Sequence, residues 1–196
     1  MRIAGLVLCG GRSRRFGSEK ALAQLAGEPL IAHVAEVLAH GCERVAVNAP
    51  LGGEVASWAG RRGMEVKPDA EGSCYGPLCG VLAGLRWARA EGIGMLITAP
   101  CDVPWLPPDF VARLAGAIGD SAGTVAVDAK GDVQPLCALW RIETRRDLAE
   151  ALKQEHHPPA RRLVCDLGFE AVQFGDPRAF LNVNTPADLH AARAAS

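Results

Sequence analysis

The chain has a single tyrosine, and only 5% of its residues are aromatic. That leaves too few stacking platforms for a single-stranded nucleic-acid binder. It also lacks an excess of charge. The formal net charge is −1, so no overall field draws it to nucleic acid or to an anionic membrane. No apolar run approaches the roughly 20 residues needed to span a bilayer. Met1-Arg2 leads straight into an apolar stretch, without a signal-peptide pattern. The seven cysteines include no Cys-x-x-Cys, and an odd number cannot all pair internally. Cys9, Cys101 and Cys137 sit in apolar stretches and read as small buried residues, so a reducing, cytoplasmic setting is expected. His33, His40, His156, His157 and His190 show no metal-ligand spacing. The Walker A pattern and the Gly-x-Gly-x-x-Gly fingerprint are both missing.

What is present is an ordinary globular composition, 49% apolar and 22% charged. A chain of 196 residues suits one domain and can bury about 70% of its unfolded surface. There is no repeat and no low-complexity linker, so residues 1–196 are read as a single domain. Strand-like and helix-like patterns alternate, which predicts an α/β fold with a mostly parallel sheet covered on both faces. Strands are expected near Arg2 to Cys9, Val45 to Asn48, Met64 to Val66, Met95 to Thr98, Val125 to Val127, Gln134 to Trp140 and Ala171 to Phe174. Helices are expected from Pro29 to Gly41, Gly53 to Gly60, Gly76 to Glu91, from Pro107-Pro108, over Glu143 to Lys153, Ala160 to Leu167 and Pro186 to Ala195.

Residues 8–20 carry the strongest chemical signal. A buried strand runs into Gly10-Gly11, then Arg12, Arg14 and Arg15, then Lys20. Glycine lets backbone N–H groups approach phosphate oxygens closely, and the cations neutralise them. A solvated basic loop is the alternative. In open parallel sheets, ligands bind beyond the carboxyl ends of the strands. Gly10-Gly11, Asn48, Asp69 and Asp102 all fall at such ends. Asp102 follows the most apolar strand and is flanked by Pro100 and Pro104, which restrict its backbone. It suits a single-carboxylate magnesium site, or equally a turn. Asn182 and Asn184 are either further neutral ligands or caps of the last helix.

Taken together, Leu8-Cys9-Gly10-Gly11, Ser13-Arg14-Arg15-Phe16-Gly17 and Lys20 resemble the nucleotide-binding signature of the nucleoside-triphosphate transferases. Within that group the chain looks most like the molybdenum cofactor guanylyltransferases. Val47-Asn48-Ala49, Gly76-Pro77-Leu78-Cys79-Gly80, Pro100-Cys101-Asp102, Gln134-Pro135-Leu136 and Asn182-Val183-Asn184-Thr185-Pro186 match in the family's order and span nearly the whole chain. Cys9 stands where Ala is commoner and Phe16 where Met is commoner; both keep apolar bulk.

The resemblance implies a three-layer Rossmann-like nucleotidyltransferase fold with a GTP-binding N-terminal half and a molybdopterin-binding C-terminal half. It implies that Leu8, Cys9, Gly10 and Gly11 line the nucleotide and that Arg15 and Lys20 contact the triphosphate. Asn48 and Asp69 would recognise the nucleoside, and Asp102 would hold Mg²⁺. Gln134, Arg161, Arg162, Asn182 and Asn184 would border the molybdopterin. The implied reaction transfers GMP from GTP to molybdenum-molybdopterin, with molybdoenzyme maturation proteins as further partners. A cytidylyltransferase or sugar-phosphate nucleotidyltransferase is the nearest alternative, and a non-catalytic cofactor-binding protein a more distant one.

Overall fold

The computed structural model describes residues 1–10, 19–69, 76–153 and 157–194. Gly11, Arg12, Arg14, Arg15 and Phe16 of the expected phosphate loop lie outside the described residues, as do Cys74 and His156.

The chain begins with β1 (Ile3–Leu8), a one-turn helix (Lys20–Leu22), the short strands β2 (Gln24–Leu25) and β3 (Glu28–Pro29), and α1 (Leu30–Ala39). It continues through β4 (Arg44–Asn48), α2 (Glu54–Arg61), β5 (Glu65–Lys67), α3 (Pro77–Ala90), β6 (Met95–Pro100) and α4 (Phe110–Gly116). It then forms β7 (Gly123–Val127), β8 (Val133–Arg141), a one-turn helix (Ile142–Thr144), α5 (Arg145–Ala151), α6 (Ala160–Asp166), β9 (Glu170–Gln173) and α7 (Pro186–Ala194).

Every residue of β1 is buried. Ile3 and Val7 point into one core and Ala4, Leu6 and Leu8 into another. This is the two-residue period of a strand covered on both faces. The sheet order is β5-β4-β1-β6-β8-β7-β9. β1 is parallel to β4 and β6, β4 to β5, and β7 to β9. Only β8 is reversed, antiparallel to both β6 and β7. The expected mostly parallel sheet is therefore present, with one inversion.

Three layers result. Helices α1, α2 and α4 cover one face through Ile31, Trp58 and Phe110. Helices α3, α5 and α6 cover the other through Leu82, Leu148 and Leu163. Gly84 lets α3 sit close: a Cβ there would fall 2.6 Å from Leu6 Cδ2 and 2.9 Å from Leu96 Cδ2. Outside these layers, α7 packs Leu189 and Ala192 on Leu25 and Leu30, beside the β2–β3 hairpin. Arg193 ties it down by donating two hydrogen bonds to the Gln24 carbonyl, at 3.0 and 2.7 Å.

The sequence reading did not anticipate that hairpin. Its two-residue turn is Ala26-Gly27, both at positive φ (50° and 87°). Paired positive φ is the turn geometry that suits a hairpin's twist, and alanine does not advertise it as Asn-Gly does. The hairpin also moves the start of α1 from Pro29, which ends β3, to Leu30. The helix expected from Pro107-Pro108 starts at Phe110, because Pro107 accepts the Phe110 N–H in a turn first. The stretch Glu143 to Lys153 splits into the one-turn helix and α5.

Candidate active site

The carboxyl ends of the parallel strands and the start of the reversed β8 share one rim. Backbone hydrogen bonds stitch it together. Cys9 N–H donates to Asn48 O at 3.0 Å, and Cys101 N–H to Leu8 O at 3.0 Å. These bonds commit Leu8 O and Cys9 N to the sheet. Among the described residues, they leave the Cys9 carbonyl and the Gly10 peptide as open backbone at the mouth of β1.

Lys20, Asp102 and Asn184 meet here although they are far apart in sequence. Lys20 Nζ lies 2.6 Å from Asp102 Oδ2 and 2.8 Å from Asn184 Oδ1. The Lys20 and Asp102 side chains are mostly withdrawn from solvent, 14% and 19% exposed. Each is delivered by a different element. The one-turn helix carries Lys20. Asp102 follows β6, and its carbonyl accepts the Val183 N–H at 2.9 Å. Asn184 precedes α7, where Asp188 Oδ2 accepts the N–H groups of Asn184 (2.9 Å) and Thr185 (2.8 Å). Thr185 Oγ1 in turn accepts the Asp188 N–H at 3.1 Å. This is a reciprocal capping box. Those donors hold the Asp188 carboxyl below the usual range, the Asn184 N–H most of all.

Phe180 bends the chain toward this cluster. Its φ is +66°, an unusual conformation for a bulky residue. It is held by edge-on packing against Phe174, with ring centroids 5.2 Å apart, and Phe110, at 6.1 Å. Sequence reasoning missed Phe180, because nothing in its neighbours announces a left-handed residue. It also missed Asp188, for which the Thr185-x-x-Asp188 spacing is a readable signal.

Asn48 and Asp69 form a second contact on the rim. Asn48 is 1% exposed, and its Nδ2 donates to Lys67 O and Asp69 Oδ1, both at 3.0 Å. Asn48 thus aims Asp69 from beneath. Its own Oδ1 is pressed against α3, where a Cβ on Gly80 would overlap the carboxamide. A Cβ on Gly10 would lie 3.2 Å from the same oxygen.

The residues expected on the acceptor side are more dispersed. Gln134 Nε2 donates to Asp128 Oδ2 at 3.0 Å. Burial opposes ionisation of Asp128, but the N–H groups of Asp132 and Lys130 and the Gln134 amide outweigh it and lower its pKa. Arg161 lies 3.9 Å from Asp132, near the turn between β7 and β8. Arg162 pairs with Asp166 of its own helix at 3.3 Å and is exposed. Asn182 lines a groove of about 360 Å³ with Trp105, Arg178 and Leu181.

Burial pushes the Cys9 thiol well above its ordinary pKa; Cys101 adds through a thiol contact and its charge, and Glu19 and Asp102 through theirs. That disfavours the thiolate, the form in which a cysteine acts as a nucleophile. Asp102 Oδ1 is buried and has no hydrogen-bond partner among the described residues. An orphaned carboxylate oxygen fits a hard cation. Magnesium takes one or two carboxylates and fills its shell with phosphate oxygens and water. The described residues hold no group of three or more His, Cys, Asp or Glu side chains arranged for a metal, so an all-protein cage is not on offer there.

The fold and the rim, a cation and a carboxylate at strand ends beside an exposed glycine, are those shared by nucleotidyltransferases. The same architecture occurs in molybdopterin-guanine dinucleotide biosynthesis protein A from Archaeoglobus fulgidus. That match has a TM-score of 0.77 at 22% identity, covering 100% of this chain and 98% of that one. It also occurs in 4-diphosphocytidyl-2C-methyl-D-erythritol synthase, at a TM-score of 0.73, 14% identity and 99% of both chains. At such identities the likeness is one of fold. The sequence goes further. Residues 5–168 match the MobA-like NTP transferase domain, and the chain belongs to that family. It is 43% identical over 190 residues to the molybdenum cofactor guanylyltransferase of Cereibacter sphaeroides, covering 96% of this chain and 94% of the relative. It is 40% identical over 191 residues to that of Rhodobacter capsulatus, with the same coverage.

Proposed function

We propose that the chain transfers GMP from GTP to the terminal phosphate of molybdenum-loaded molybdopterin, giving the guanine dinucleotide cofactor and pyrophosphate. The observation that carries this reading is the meeting of Lys20, Asp102 and Asn184 beside the open Gly10 peptide. The acceptor phosphate is already an oxyanion, so no side chain has to be activated as a nucleophile. The protein's task is in-line alignment and stabilisation of charge on the departing pyrophosphate. Lys20, held by Asp102 and Asn184, supplies a cation to the phosphates, and the resemblance assigns Arg15 to the same triphosphate. The open backbone at Cys9 and Gly10 faces the nucleoside, the resemblance assigns Gly11 to the same nucleotide, and Asp69, aimed by Asn48, recognises the nucleoside. Asp102 would hold Mg²⁺ through Oδ1. Bound there, magnesium would neutralise phosphate charge and orient the triphosphate.

In this reading residues 1–196 act as one domain. The N-terminal half binds GTP, and the groove at Asn182, with Gln134, Arg161 and Arg162, borders the pterin. The protein works in the cytoplasm, where maturation proteins of molybdoenzymes would receive the product. No described helix is long and apolar enough to cross a membrane.

The test is pyrophosphate release from GTP, CTP, ATP and UTP with molybdopterin and Mg²⁺. GTP alone should serve; selective use of CTP would replace this reading with cytidylyl transfer. Asp102→Asn should lower turnover about 100-fold or more, the scale of removing a group that stabilises transition-state charge. Full activity in that variant would refute the assignment.

A further inference from the structure

Most exposed cations near the amino-terminal ends of the parallel strands have a carboxylate partner. Arg2 pairs with Glu43 at 2.6 Å, and Arg44 with Glu65 and Glu91 at 3.3 and 3.0 Å. Arg86 and Arg89 of α3, with Arg145 and Arg146 of α5, break that pattern. None of the four guanidinium groups has an ion pair or hydrogen bond with another described residue. Carboxylates are not scarce, since the chain has 22 acidic residues against 21 Lys and Arg. Glu143 and Asp147 lie nearby in sequence, yet neither forms an ion pair with the four. Glu150, on the same helix as Arg145, pairs with Lys153.

The four arginines share one surface. Helices α3 and α5 pack together, burying Leu82, Leu85 and Leu148 in one cluster. Arg86 and Arg89, three residues apart, lie on the exposed side of α3. Arg145 is half-buried beside them. Desolvation and the charges of Arg89, Arg146 and Arg86 all pull its pKa below the ordinary arginine value, and only Glu143 opposes them. Like charges gathered on two packed helices repel unless an anion joins them.

Topology sets the location. The reversed β8 ends at Arg141, opposite Met95, the first residue of β6. The segment leading to Arg145 therefore starts at the end of the sheet away from the rim. Helix α3 begins at Pro77 near the rim, where its Gly80 lies against Asn48, and runs toward that same far end. A small anion bound there is out of reach of the reacting phosphates, so the patch is not a substrate subsite.

We propose that Arg86, Arg89, Arg145 and Arg146 form a docking surface for an acidic segment of a partner protein. Nucleic acid fits less well. The tryptophans of this side, Trp87 and Trp140, are buried, so bases find no exposed ring to stack on. A membrane fits less well too, because among the described residues the exposed large apolar side chains, Met1, Leu51 and Leu181, belong to neither helix.

The experiment is fluorescence anisotropy of the full chain with a labelled octaglutamate peptide. Parallel titrations use an octauridylate and phosphatidylserine vesicles. Binding of the peptide should weaken steeply between about 20 mM and 300 mM NaCl, as screening requires. Arg86→Glu/Arg89→Glu and Arg145→Glu/Arg146→Glu should each weaken it by about tenfold or more, with GTP binding and melting temperature retained. Should the α5 pair fail to fold, Arg86→Gln/Arg89→Gln, on exposed positions, gives the same test. No peptide binding by the parent chain, or equal binding by the variants, would overturn the proposal. So would tighter binding of the octauridylate or the vesicles.

Discussion

Lys20 is the residue on which the rim turns. Its ammonium is held by Asp102 and Asn184 before any nucleotide arrives. In the proposed function, removing it strips one phosphate contact, and it leaves the mostly withdrawn Asp102 without its cation. Lys20→Met is expected to raise the KM for GTP about tenfold or more, roughly 1.4 kcal/mol of lost binding. Steady-state kinetics with varied GTP would read this, and an unchanged KM and kcat would remove Lys20 from the site. At this scale the sequence was legible where chemistry and position coincide. Asp102 and Lys20 announce themselves as a carboxylate and a cation flanking glycine-rich strand ends. Asn48 was legible as a rim residue, but its burial was not, because a strand-end asparagine reads alike whether it faces a ligand or props up its neighbour.

Elements set how rigid that arrangement is. The carboxamide of Asn48 fits because α3 presents Gly80 to it. A methyl group there has to displace Asn48 or shift the helix, and overpacking of this kind costs about 1–3 kcal/mol. Gly80→Ala should therefore lower both the melting temperature and GTP affinity, since Asp69 loses its support. An unchanged affinity would show that Asp69 is positioned some other way.

The capping box makes a prediction of opposite reach, local and dependent on pH. Asp188 has a lowered pKa in the folded chain, so its contribution is present above the unfolded carboxylate value near 4 and is lost as pH falls through the folded value. Asp188→Ala should melt earlier than the parent at pH 7, and the difference should vanish by about pH 2. Thermal melts at the two pH values decide it; a difference that persists in acid would assign the effect to something other than the carboxylate. The box was written in the sequence as Thr185-x-x-Asp188. The β2–β3 hairpin was not, because its turn rests on Ala26 at positive φ, a conformation imposed by the packing of Leu25 and Leu30 under α7.

At the scale of the whole molecule, alternating strands and helices made the layered sheet readable, because β1 and β6 are apolar on both faces. The reversal of β8 was not readable. Its residues Val133 to Arg141 have the same apolar character in either direction, and only the register against β6 and β7 fixes the orientation. The family match ends at residue 168, yet Val183, Asn184 and α7 beyond it complete the rim. Removing residues 182–196 should leave the sheet largely formed by circular dichroism while abolishing nucleotide turnover. Retained turnover would show that the last segment is dispensable.

Lys20 and Asn184 stand 164 positions apart. At about 5–20 residues per second, a ribosome that has made Lys20 needs roughly 8–33 s more to reach Asn184. The two halves of the clamp are thus separated in time as well as in sequence, so a growing chain cannot complete its site until Asn184 has been made.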